Sequence, residues 1–149
     1  MRETIFRTGG DWDSTTLHVN GVELPADRLL VELRAGEEDD EGEPSAGGVR
    51  HGADLSAYVV PSENPDGAQD LLPGRIQLEF PGYSVVVENL HPEVHAAQTR
   101  VWLSGREITD RVVDVLVDVN ALEDDVRAYV TEYKDRFLLR DEVITHTIL

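Results

Sequence analysis

The chain predicts an all-β fold, built as one or two small antiparallel sandwich or barrel units, and three observations carry that expectation. Apolar and polar residues alternate at period two, most plainly where Val113, Val115, Val117 and Val119 are separated by Asp114, Leu116 and Asp118. Such alternation, rich in β-branched residues, marks a strand with one face buried. Turn formers separate the alternating stretches, as at Asn20-Gly21, Pro81-Gly82 and Gly105, and these residues suit tight hairpins because they tolerate positive φ or preset a turn. Finally, the first half of the chain echoes in the second.

In chain order, Ile5 and Phe6 precede Gly9-Gly10 and suggest a short strand or a docking arm over 1–15. Asp11, Trp12, Asp13 and Ser14 read as a polar turn; Asp-x-Asp invites a calcium reading, but the further oxygen ligands of such a loop are missing. Leu17 and Val19 lead through Asn20-Gly21 and Leu24-Pro25 to a second alternation at Leu29, Val31 and Leu33. Asp54 to Val59 is a further strand, and 61–74 is a loop dense in turn formers. Ile76 to Phe80 and Tyr83 to Val87 flank Pro81-Gly82 as a hairpin, and 91–98 is expected to be one helical turn or an ordered loop. Val101 and Leu103 then alternate with Arg100 and Trp102 before Gly105-Arg106-Glu107 turns the chain into the valine stretch. Trp102 is out of phase with Val101 and Leu103, so it faces the other side of its sheet, as a second-face core residue or an interface anchor, and with two apolar faces to serve core is the expectation. Residues 120–138 are ambiguous. Leu122, Val126, Tyr129, Val130, Tyr133 and Phe137 fit a helical stripe, and Asn120 with Glu123 resembles a capping box. The matching segment after Asp54 meets Pro61, which a helix interior does not tolerate, and Tyr129-Val130-Thr131 favours strand. Strand is the expectation, followed by a last strand over 141–149.

A shift of 84 positions carries Leu17 onto Val101, Val19 onto Leu103, Gly21 onto Gly105, Glu23 onto Glu107, Leu24 onto Ile108, Val31 onto Val115 and Leu33 onto Val117. A shift of 71 carries Asp54-Leu55-Ser56-Ala57-Tyr58-Val59 onto Asp125-Val126-Arg127-Ala128-Tyr129-Val130. The mismatch between the shifts places extra residues in the first copy, and the acidic Gly/Pro/Ser stretch 37–48 is the candidate insert. The resulting division is an arm over 1–15, a first β-unit over 16–98 and a second over 99–149. Chance likeness between hairpins is the alternative to a duplication.

Thirty acidic residues against 13 basic ones give a net charge of −17, which repels phosphate backbones and argues against nucleic acid or anionic membrane as partners. A basic protein surface, a halophilic source and plain solubility all fit that charge. Cysteine is absent, so disulfides and thiolate chemistry are excluded. No apolar run approaches the ~20 residues of a spanning helix, and the start has no signal-like apolar region. No nucleophile elbow, phosphate loop or dinucleotide fingerprint occurs, and carboxylate pairs carry no signal among so many acids. His91, Glu93 and His95 share HPEVH, but Pro92 stands where a zincin needs its glutamate, so neither a metal nor any other cofactor is expected. The residues left as candidates are those of a partner interface: Glu37, Glu38, Asp39, Asp40, Glu41 and Glu43 of the acidic loop, with Trp102, Asp114 and Asp118 on strand faces opposite the apolar side.

From Gly105-Arg106-Glu107-Ile108-Thr109 through Val112 and the alternating valines, then Arg127-Ala128-x-Val130 and Val143-Ile144, the last third resembles small β-rich structural proteins of tailed phages infecting actinobacteria. That resemblance implies a non-enzymatic capsid-decorating or minor tail protein. Such a protein would be present in many copies or as a homo-oligomer, bind neighbouring virion subunits and be assembled in the host cytoplasm. An acidic β-sandwich module binding a carbohydrate or peptide through its aromatics is the alternative.

Overall fold

The computed structural model describes residues 2–10, 14–35, 53–94, 98–135 and 139–149, and among these it holds strands and no α-helix. The strands are β1 (Arg2–Arg7), β2 (Thr16–Val19), β3 (Val22–Glu23), β4 (Ala26–Ala35), β5 (Ala53–Pro61), β6 (Gln69–Asp70), β7 (Gly74–Phe80), β8 (Tyr83–Asn89), β9 (Arg100–Leu103), β10 (Arg106–Glu107), β11 (Val112–Asn120), β12 (Asp125–Asp135) and β13 (Leu139–Thr147). One sheet runs β10-β9-β8-β7-β1-β2-β3 and the other β13-β12-β11-β4-β5-β6. A single apolar cluster joins them, with Phe6, Leu78 and Val87 from the first sheet and Leu33, Val59 and Val117 from the second. The architecture is an all-β sandwich, as the alternation requires: Val115, Val117 and Val119 are buried, and each contributes about 1.5–3 kcal/mol by leaving water.

The echo in the sequence is an echo in the structure. A shift of 84 carries β2 onto β9 and β3 onto β10, and the connecting turns match in conformation: φ is 53° at Asn20 and 80° at Gly21, against 49° at Ser104 and 83° at Gly105. The same shift carries the bond from the Leu24 N–H to the Leu17 carbonyl (2.9 Å) onto that from Ile108 to Val101 (2.8 Å). The halves meet where β4 pairs antiparallel with β11, and within that seam the equivalent residues Glu32 and Leu116 face each other. That register is a pseudo-twofold axis through the sheet.

The repeats begin earlier than the sequence suggested. Thr4 and Phe6 pair with Val19 and Leu17 as Val85 and Val87 pair with Leu103 and Val101. Residues 2–7 are therefore the buried opening strand of the first repeat rather than an arm, and β8 opens the second. A boundary at 98/99 separates β8 from the strand it pairs with. Nothing in RETIFR resembles YSVVVE by identity; only pairing reveals the match. At the other end of each unit, Tyr58 faces Asp70 as Tyr129 faces Thr147, so β6 and β13 are also equivalents.

β7 stands outside the duplication, between β1 and β8, and makes the one parallel pair among the described strands, with β1. The axis makes β1 and β8 antiparallel, so a single strand between them has to run parallel to one. At its start Gly74 passes so close to β1 that a Cβ would collide with the Arg2 carbonyl oxygen. Gly74→Ala is expected to cost about 1–3 kcal/mol, as overpacking does, read as a fall in the midpoint of thermal unfolding.

The ambiguous segment 120–138 is strand over Asp125–Asp135. The cap-like Asn120 caps a tight turn instead of a helix: its Oδ1 accepts the N–H of Leu122 at 3.1 Å and of Glu123 at 3.2 Å.

Candidate interaction surfaces

Three of the four sheet edges are two residues long, namely β3, β10 and β6. The fourth, β13, has nine residues and among the described residues pairs only with β12. Alternation sets which of its backbone groups are used. The Tyr133 N–H donates to the Arg111 carbonyl at 2.7 Å and the Ile148 N–H to that of Ala128 at 2.9 Å. Even-numbered β12 residues thus face β13, and their partners Ile144 and His146 turn their N–H and C=O groups toward β12. Val143, Thr145 and Thr147 turn theirs outward, away from the sandwich. Val143 is 49% exposed and Ile144 38%, so the open edge carries apolar side chains beside its unpaired amides. An edge of this kind is a template for a further strand.

Beside this edge lies the most buried charge of the described residues. Glu132 of β12 is 1% exposed and receives both guanidinium nitrogens of Arg106 at 2.8 Å, with Arg111 at 3.4 Å and the His146 ring at 3.2 Å. Burial pushes its pKa up, but the hydrogen bonds and charge of Arg106, helped by Arg111 and His146, outweigh burial and hold it below the ordinary value. Arg106 lies on β10, the edge of the opposite sheet, so this cluster clasps the two layers together. Sequence reasoning passed over Glu132 among so many acids. Its signal was phase: Glu132 continues the inward series Ala128, Val130, where a charge needs a partner.

The strand-face candidates are placed as follows. Trp102 lies half-buried on the outer face of its sheet, with the Arg100 guanidinium 4.8 Å from the ring centroid, so it is not a core residue. Asp118 does not point free into solvent: it is 15% exposed and forms a two-pronged pair with Arg28 at 3.2 Å across the seam. Asp114 is half-buried, and its Oδ1 has no hydrogen-bond partner. Burial raises its pKa, only partly offset by the Thr131 hydroxyl and Arg34. A raised folded-state pKa means that stability falls as pH rises through that window. Asp114→Asn is therefore expected to stabilise the protein at neutral pH, with the gain vanishing below the ordinary carboxylate range, as chemical denaturation at several pH values would read. Glu37 to Glu43, like Trp12 and His95, lie outside the described residues. His91 is engaged through Nδ1 with the backbone of Glu93, and no set of three metal-ligating side chains gathers among the described residues.

One cavity of about 210 Å³ opens between the sheets, walled by Phe6, Leu17, Leu24, Leu29 and Val119. The equivalent place in the second repeat holds a polar hollow of about 270 Å³ instead, lined by Glu107, Thr109, Asp110 and Arg111. Ile108 is fully buried where Leu24 is half-exposed, and Thr109 and Asp110 replace Pro25 and Ala26.

No protein-family model, curated protein or solved structure matches the chain. Among the described residues no helix is long and apolar enough to cross a membrane.

Proposed function

We propose that the protein is a non-enzymatic structural component of a phage virion, a capsid-decorating or minor tail protein that binds neighbouring subunits through its open sheet edge. The observation that carries the assembly role is β13: among the described residues its nine-residue outer edge is unpaired and carries the exposed Val143 and Ile144, whereas the other three edge strands have two residues each. The assignment to a virion rests on the phage-like pattern from Gly105 to Val117. Docking by strand addition gives a modest affinity per site, which many copies on a shell or tube multiply. The charge of −17 favours a basic surface on any neighbour that is not a second copy of the chain, and contacts with such a surface weaken with salt.

Cofractionation tests this reading. Particles banded from cells producing this chain should contain it in multiple copies, and Val143→Pro should leave it in the soluble fraction. A wild-type chain that never bands with particles would refute the virion role. The cavity between the sheets favours a second reading, a module that receives one apolar side chain of a partner peptide. In that case a peptide with an aromatic residue should titrate the isolated chain, and filling the cavity by Ala26→Leu should abolish the titration.

A further inference from the structure

We infer that the strand seated on β13 is β13 of a second copy, paired antiparallel about a twofold axis so that two six-stranded sheets become one. The inference rests on the proposed role of this edge and names its partner. A sheet can continue from copy to copy head to tail only if it offers a long edge at both ends. Here the far end is β5, covered by β6 at Tyr58 and Val59, and the stretch of β5 left beyond that cover, residues 53–57, is too short to match the nine residues of β13. Continuation through β13 is thus limited to β13 against itself, which closes a dimer and cannot grow into a fibre. The molecule already contains this device at its seam, where the equivalent strands β4 and β11 pair antiparallel about an axis at Glu32 and Leu116.

The register is restricted as well. A twofold axis perpendicular to the sheet keeps faces together, so residues that oppose each other must share a face, and the axis passes through a residue paired with its own copy. Centring it on Val143 or on Ile144 brings the exposed apolar side chains together. In both registers the outward N–H and C=O groups of Val143 and Thr145 are used from each copy. Opposing this, each chain brings a charge of −17, so added salt should strengthen the dimer, the opposite of docking on a basic surface.

Sedimentation velocity on the intact chain decides the matter. The wild type should shift from monomer to dimer as concentration rises, and further as salt is added. Val143→Pro removes an outward donor and leaves the β12 ladder intact; it should weaken dimerisation at least tenfold while thermal unfolding of the monomer changes little. Ile144→Lys, which puts two like charges near the axis, should do the same by another route. A chain that stays monomeric at every concentration and salt, or a dimer indifferent to both substitutions, overturns the inference. A monomeric chain whose Val143→Pro variant still leaves particles would defeat the second copy and keep edge docking. A dimer that never bands with particles would defeat the virion role and keep the dimer.

Discussion

Val115→Asp should leave the chain largely unfolded at room temperature. Val115 is buried between Leu33 and Val130 in the middle of the second sheet. A carboxylate there meets only apolar neighbours from both repeats and cannot hydrogen-bond. Losing a buried valine costs about 1.5–3 kcal/mol, and desolvating an unpaired polar group adds several more. The total exceeds 4 kcal/mol, the range reached by few single substitutions, against a stability of about 5–15 kcal/mol for a domain. The far-ultraviolet circular dichroism of the variant should lose its strand signal. A folded variant would mean that the valine face is not the core.

Arg106→Ala carries the next largest expected effect. It strips the two-pronged partner from a carboxylate buried in the sandwich and leaves Arg111 and His146 to compensate. Breaking a buried pair in this way costs about 3–5 kcal/mol. Because Glu132 has a lowered pKa in the folded protein, the stability it contributes is fully present above its unfolded pKa. That contribution disappears as pH falls through the lower folded value. The difference between wild type and Arg106→Ala should therefore shrink in acid. Replacing both partners, Arg106→Met with Glu132→Met, should recover most of the loss at neutral pH, since an apolar pair needs no charge satisfied. A neutral-pH stability untouched by Arg106→Ala would show that the clasp does not hold the layers together.

The expectations that rested on local chemistry match the structure. Asn20-Gly21 and Gly105 make the hairpin turns, and the valine alternation of β11 points inward from Val115 to Val119, but a register shift between Val112 and Asp114 buries Val112 in place of the expected Val113. Comparing two segments resolved 120–138, because Pro61 ruled out a helix in one copy and the copies fold alike. What escaped was long-range pairing. RETIFR contains too little alternation to announce a central strand, and its kinship with β8 exists only in register. Nor could the sequence place β7 between the repeats, since that position follows from the symmetry of the assembled sheet. The interface candidates divide along the same line. Trp102 was correctly read as facing away from Val101 and Leu103, because phase is local. Asp118 was expected at a partner interface because its partner Arg28 lies 90 residues away, across a seam no local pattern reveals. The last strand was expected to pair with its own sheet or with a neighbour's edge, but that it forms the long open edge is recognisable only once its neighbours are known.

The most direct measurement of the central claim, that two repeats share one sandwich through β4 and β11, is amide hydrogen exchange along β4 at low protein concentration. Alternate residues of that strand send their N–H groups to β11 and to β5, so one strand reports both the seam and the interior of a repeat. The two sets of amides should exchange together and slowly, with a free energy close to that of global unfolding. If the β11-facing amides instead exchange much faster than the β5-facing ones, the repeats separate before they unfold, and the single sandwich is wrong.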